Sequence, residues 1–254
     1  MAQFTHDGFD LAYDELGPRE WGRPVILIHG FSSNRNENWR RLGWYGAFER
    51  AQMRVAALDM RGHGESAKPH DANVYTSDAL VGDIFALMDA IGADTADLVG
   101  YSMGARLALA ATLKNPTRVK KLVVGGIGAT LFDALPAENP IAAAMEADNP
   151  DTISEPILRS FRAFADEQGE DRLALAAFAR GGGHEFARDA LGTIAVPTLV
   201  VAGARDELAG SADVLAHTIP GARAITLPGC DHFSAISHGL FKASVIDFLN
   251  GVLE

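Results

Sequence analysis

Residues 100–104 read Gly-Tyr-Ser-Met-Gly, directly after the apolar run Ala96–Val99 and before the small, apolar stretch Met103–Leu113. A serine hydroxyl attacks a carbonyl only when it is held clear of its own backbone and relieved of its proton. A strand that turns sharply into a helix holds it so, and glycines two places to either side remove the side chains that would collide in the turn. Ser102 is therefore a candidate nucleophile, with the positive end of the following helix dipole aimed at it.

A serine of this kind needs a base, and the base needs a carboxylate to orient it. His232 follows the run Ala224–Leu227 through Pro-Gly-Cys-Asp, and Asp206 follows Thr198–Val201 through Ala-Gly-Ala-Arg. The chain order Ser, Asp, His matches one of the recurring triad orders. Asp231 and Glu207 compete with Asp206 on sequence alone. His238 lies six positions past His232, where the last helix is expected to begin. Charge developing on a carbonyl oxygen needs donors, and two backbone amides are placed for it: Phe31, at the end of Ile28-His-Gly-Phe, and Met103, next to the nucleophile. Gly30 is expected to let the backbone turn toward Ser102, and His29 to bond nearby loops without taking a proton.

These residues need a scaffold that delivers them to one edge. Phe9–Leu16 alternates and is predicted to form a hairpin with Gln3–His6. Short apolar runs then recur at Val25–Ile28, Arg54–Leu58, Ala96–Val99, Lys121–Val124, Thr198–Val201 and Ala224–Leu227. Continuous runs of this length suit strands buried on both faces. Leu80, Ile84, Leu87 and Met88 share one face of a helix across 79–90, and Phe241, Val245, Phe248 and Leu249 line the last. Strand–helix alternation predicts a doubly wound, mostly parallel α/β sheet. From 131 to 190 no strand-like run occurs. Apolar positions there (Ile157, Leu158, Phe161 and Phe164, then Leu173, Leu175 and Phe178) have helical spacing. The expected organisation is a core of 1–130 and 191–254 interrupted by a small helical cap, 131–190, above the carboxyl edge of the sheet.

Taken together, His29-Gly-Phe31, Asp59-Met-Arg-Gly-His-Gly-Glu-Ser66, Gly100–Gly104, Ala202-Gly-Ala-Arg-Asp206 and Gly229-Cys-Asp-His232 resemble the α/β-hydrolase superfamily, and within it the serine esterase, lactonase and C–C hydrolase branch. The resemblance spans essentially the whole chain. It implies the α/β-hydrolase fold, a structural turn at 59–66, and hydrolysis of a small, largely apolar carboxylic ester through an acyl-enzyme. An enol-lactone or a C–C bond is the alternative substrate, and a non-catalytic ligand receptor on the same fold is the alternative of another class. Haloalkane dehalogenases and epoxide hydrolases of this fold carry aspartate at the nucleophile position, where this chain has serine.

The remaining signals narrow the chemistry. A formal charge of −11 disfavours nucleic acid, anionic membrane and polyanionic substrates unless local arginines reverse the field. One cysteine, Cys230, rules out an internal disulfide. The eight histidines show no paired ligand spacing, so neither metal nor cofactor is expected. Gly125-Gly-Ile-Gly128 does not complete a dinucleotide fingerprint. Met1–Asp7 lacks the regions of a signal peptide, which leads us to expect a cytoplasmic protein. Trp39, Tyr101, Phe161 and Phe164 are candidate pocket walls, with Trp44 and Tyr45 nearby. Arg159, Arg162, Arg172, Arg180 and Arg188 are either ligands for a substrate carboxylate or a solvated helix face. Gly181-Gly-Gly183 either hinges the cap or joins two helices.

Overall fold

The computed structural model describes residues 2–134, 139–183 and 185–253. Eight strands form one sheet in the order β1-β2-β4-β3-β5-β6-β7-β8. The strands are β1 (Ala2–His6), β2 (Phe9–Leu16), β3 (Val25–Ile28), β4 (Val55–Leu58), β5 (Ala96–Tyr101), β6 (Val119–Gly125), β7 (Thr198–Gly203) and β8 (Arg223–Leu227). β1 and β2 are the expected hairpin, closed by Asp7-Gly8 with both residues at positive φ, 50° and 81°. Asp-Gly favours this because its backbone twist matches that of the strands it joins. β2 meets β4 antiparallel, and β3 to β8 are parallel throughout. The mostly parallel, doubly wound sheet expected from the sequence is present.

Alternation along each central strand divides the core. Ile26, Ile28, Leu98, Val124 and Val200 face α2 (Ser77–Ala90), α3 (Met103–Lys114) and α8 (Ala212–Ala216). Val25, Leu27, Val99, Val123 and Val201 face α1 (Trp44–Arg50) and α10 (Gly239–Leu249). With successive side chains on opposite faces, each strand contributes to both apolar layers, which is why these runs show no polar alternation. The helices begin where their caps predict. The Thr76 hydroxyl accepts from the Ala79 amide at the start of α2, and His238 Nδ1 accepts from the Leu240 amide at the start of α10.

Between β6 and β7 the described residues hold helices and no strand: α4 (Pro140–Glu146), α5 (Pro156–Gln168), α6 (Arg172–Gly181) and α7 (Arg188–Leu191). Residues 135–138 and 184 of the expected insertion lie outside the described residues. This segment has its own small core of Met145, Phe161, Ala165 and Leu175, which rests on Phe31. Leu173 departs from expectation, being 51% exposed, whereas Leu175 and Phe178 are buried. Positions two apart on a helix point about 200° from one another, so Leu173 cannot share the face of Leu175. The segment is tied to the core by Glu170, between α5 and α6, whose carboxylate accepts from Asn34 Nδ2 (2.9 Å) and from the Gly64 amide (2.9 Å).

Candidate active site

Ser102 stands where β5 passes into α3, at φ 54° and ψ −114°, a conformation costly for any residue with a Cβ. Packing on both sides imposes it. A Cβ on Gly100 would lie 2.2 Å from the carbonyl oxygen of Gly104, and one on Gly104 would lie 2.1 Å from that of Ile28. The glycines therefore permit a contact between the turn, the first turn of α3 and the end of β3. Gly30 is not in the left-handed region, and an added Cβ would meet Ser102 Cβ at an ordinary 3.5 Å. Its amide is instead fixed by the Asn38 side-chain oxygen, 2.7 Å away.

Three strand ends deliver one chain of contacts. His232 Nε2 is 2.9 Å from Ser102 Oγ, and His232 Nδ1 lies 3.0 and 2.9 Å from the two oxygens of Asp206. A carboxylate only accepts, so Nδ1 carries the proton and Nε2 is left to accept from the serine. Asp206 is buried, and its Oδ1 also accepts from the Ala209 amide at 2.9 Å. The competing acids are elsewhere. Asp231 caps the short helix α9 (His232–Ala235), accepting from the Ser234 amide and hydroxyl, and Glu207 is exposed. Tyr101 secures the histidine from below, its hydroxyl donating to the His232 carbonyl at 2.5 Å.

The amides of Phe31 and Met103 donate to no acceptor among the described residues. Phe31 and Met103 line one cavity together with Ser102. His29 is buried, accepts from the Met60 amide at Nε2 (3.0 Å) and lies 2.8 Å from the Gly30 carbonyl through Nδ1. Burial holds its pKa below the ordinary histidine value, so it remains a neutral strut between the loops after β3 and β4. Among the described residues no cluster of three or more His, Cys, Asp or Glu side chains is placed to hold a metal ion.

Two cavities open on either side of Ser102. One, of about 510 Å³, is lined by His232, Tyr101, Leu42, Phe164, Phe233 and Ile236. The other, of about 260 Å³, is lined by Met103, Arg106, Leu107, Ser77, Ile141 and Phe178. Phe31 and Phe161 border both. The structure thus brings Tyr101, Phe161 and Phe164 to the cavities. Trp39 is a correction: it is fully buried and packs edge-on against Trp44, 5.4 Å between centroids, in the core beneath α1. An indole with no exposed surface has no face to offer a ligand.

The five arginines of the helical segment do not line these cavities; Arg159, Arg180 and Arg188 are exposed, Arg172 is half-buried and Arg162 is buried. Arg162 Nη1 donates to the carbonyls of Ala144 (3.0 Å) and Ala147 (2.7 Å), Arg172 to that of Met145 (3.1 Å), and Arg159 to that of Ile153 (2.6 Å). Arg180 pairs with Glu146, and Arg188 lies 3.7 Å from the centroid of the Phe132 ring. Arg159, Arg162 and Arg172 thus satisfy backbone carbonyls at the ends of short helices, while Arg180 and Arg188 make a surface ion pair and a ring contact. Gly181 closes α6, and Gly182 and Gly183 line the smaller cavity. Sequence reasoning passed over Arg106, although its spacing from Ser102 is the four residues that put two side chains on one helix face.

The chain belongs to the alpha/beta hydrolase fold family, whose model matches residues 23–159. Among individual relatives, 2-hydroxymuconate semialdehyde hydrolase of Pseudomonas sp. (strain CF600) is 31% identical over 257 aligned positions, covering 90% of this chain and 87% of the relative. A hydrolase from Pseudomonas aeruginosa PA01 superposes with a TM-score of 0.81 at 28% identity over 98% of this chain and 97% of its own. The enol-lactonase from Burkholderia xenovorans LB400 has the same fold, with a TM-score of 0.81 at 24% identity over 98% of this chain and all (100%) of its own.

Proposed function

We propose that this hydrolase is a serine enzyme that cleaves a small, largely apolar carboxylic ester through an acyl-enzyme. The observation that carries the reading is the file of contacts from Asp206 through His232 to Ser102, beside two amides with no other acceptor. In this scheme His232 Nε2 takes the Ser102 proton as Oγ adds to the ester carbonyl. The amides of Phe31 and Met103 hold the oxyanion. The acyl–oxygen bond then breaks and His232 returns the proton to the leaving oxygen. Water, deprotonated by the same nitrogen, releases the acid and restores Ser102. Asp206 keeps the ring in the required tautomer and offsets its charge when it becomes imidazolium. The helical segment acts as a cap, closing both cavities with Phe161.

Direction follows from the histidine. The leaving oxygen must come within hydrogen-bond reach of Nε2, which puts the alcohol side in the larger cavity and the acyl side in the smaller one. A second reading, hydrolysis of an enol-lactone or of the C–C bond of a vinylogous diketone, is favoured by the nearly full-length likeness to 2-hydroxymuconate semialdehyde hydrolase. A panel of p-nitrophenyl esters of graded acyl length, run beside an enol-lactone and a vinylogous diketone, separates the two. Turnover of short esters with labelling of Ser102 by a fluorophosphonate supports the first reading. Turnover of the diketone or lactone alone replaces it with the second.

A further inference from the structure

Arg106 is the cation of the smaller cavity, and its position is set by the same helix that presents the nucleophile. Its amide donates to the Ser102 carbonyl at 3.1 Å, so the two residues are one turn apart on α3. Side chains on a helix lean toward its N-terminus, which carries the Arg106 stem toward Ser102 rather than away from it. The guanidinium makes no hydrogen bond or ion pair with any described residue, in contrast to the arginines of the helical segment. The Ser77 hydroxyl, across the same cavity at the start of α2, likewise has no described partner. Leu107, Ala110, Ile141 and Phe178 are apolar parts of the lining, and the Asn139 side chain, which donates to the Ala179 carbonyl and accepts from the Ile141 amide, is a further polar part.

A half-buried guanidinium with no hydrogen bond or ion pair among the described residues has given up part of its hydration without a close partner there to replace it. Burial accordingly lowers its pKa, and the Asp133 carboxylate offsets this only in part. Arginine presents a planar fork of donors that suits a carboxylate held in two hydrogen bonds. Largely apolar walls with a cation and the Ser77 hydroxyl placed away from the nucleophile describe a binding site for a short carbon chain that ends in an anion. The site lies on the side of Ser102 away from His232, which is the acyl side if the serine mechanism holds.

We propose that Arg106, assisted by Ser77, binds a carboxylate at the far end of the substrate's acyl part, so that the preferred substrates are half-esters of short dicarboxylic acids. This rests on the serine-hydrolase reading and adds an anionic terminus to its apolar acyl chain. It also supplies the local reversal of field that a chain of charge −11 needs to accept an anionic substrate.

The test compares kcat/KM for p-nitrophenyl hydrogen glutarate with that for p-nitrophenyl butyrate, and includes 4-carboxyphenyl acetate, whose carboxylate is on the leaving side. The wild type is expected to favour the glutarate, and Arg106→Gln to reduce the glutarate-to-butyrate ratio about ten-fold or more, as loss of a charged, bidentate contact does. Arg106→Lys should recover part of the ratio, and Ser77→Ala should lower it less than Arg106→Gln. A wild-type ratio below one overturns the proposal without any variant having to fold. A fall for 4-carboxyphenyl acetate instead of the glutarate overturns the acyl-side assignment. Failure of the underlying reading has a separate signature, in which no ester is turned over and the fluorophosphonate leaves Ser102 unlabelled.

Discussion

The strained backbone of Ser102 and its 2.9 Å contact with His232 make the sharpest expectations possible for single residues. Ser102→Ala keeps the fold and lowers ester hydrolysis by about 10⁴-fold or more, as removal of a triad nucleophile does elsewhere. Intact-mass detection of a fluorophosphonate adduct checks it, and an adduct on the variant refutes it. Asp206→Asn leaves His232 in place with its tautomer no longer fixed, so kcat falls by about 10⁴-fold while KM changes little. Asp231→Asn, at the helix cap, leaves kcat near wild type. If the two variants exchange behaviour, Asp231 is the orienting acid. Sequence alone left these two acids in competition, yet the deciding signal was written in it: Asp231 stands three residues before Ser234 at a helix start, which is the spacing of a cap. Trp39 shows the opposite limit. An aromatic residue beside the loop after β3 reads alike whether it faces a cavity or the core, because its local spacing does not say which side of the sheet the loop folds over.

At the scale of elements, the turn at Ser102 is locked against β3. Gly104→Ala must push a methyl group into the Ile28 carbonyl, 2.1 Å from the ideal Cβ position. Overpacking against backbone costs about 3 kcal/mol or more where nothing yields, and the urea midpoint should drop accordingly; an unchanged midpoint would show that β3 and α3 separate freely. Glu170 is the second joint. Glu170→Ala strips the acceptor from the Asn34 side chain and the Gly64 amide, a loss of about 1–3 kcal/mol, or roughly 2–4 °C of Tm for each kcal/mol in a chain of this size. Glu170→Gln separates charge from bonding. Burial raises the Glu170 pKa above its ordinary 4.5, so the folded protein holds this proton more tightly than the unfolded chain does. Ionising it therefore costs stability as pH climbs from 4.5 through the raised value. Across that window the Tm of Glu170→Gln minus that of the wild type is expected to rise, then to level off. A difference that does not vary with pH discounts the buried charge. The strands were legible because both faces of a parallel sheet exclude polar residues. The joints were not, because Gly64, Asn34 and Glu170 meet only through tertiary packing.

At the scale of the molecule, the proposed serine mechanism has no metal-bound water to titrate, so ester turnover is expected to be the same with and without EDTA. Loss on chelation, with recovery on adding Zn²⁺ or Mn²⁺, would replace the serine mechanism. No helix among the described residues is long and apolar enough to cross a membrane. The order of the sheet sends β3, β5, β7 and β8 to one edge, so the parts of the site come from all along the chain while the walls come from the helical segment. Phe161 is the residue of the helical segment that borders both cavities, facing Phe31, which borders both as well. A library varied at Phe161 would therefore produce correlated phenotypes, each gain of tolerance for a bulkier alcohol moving acyl preference with it. Variation at Phe233 or at Leu107, each bordering a single cavity, would let the two preferences drift apart.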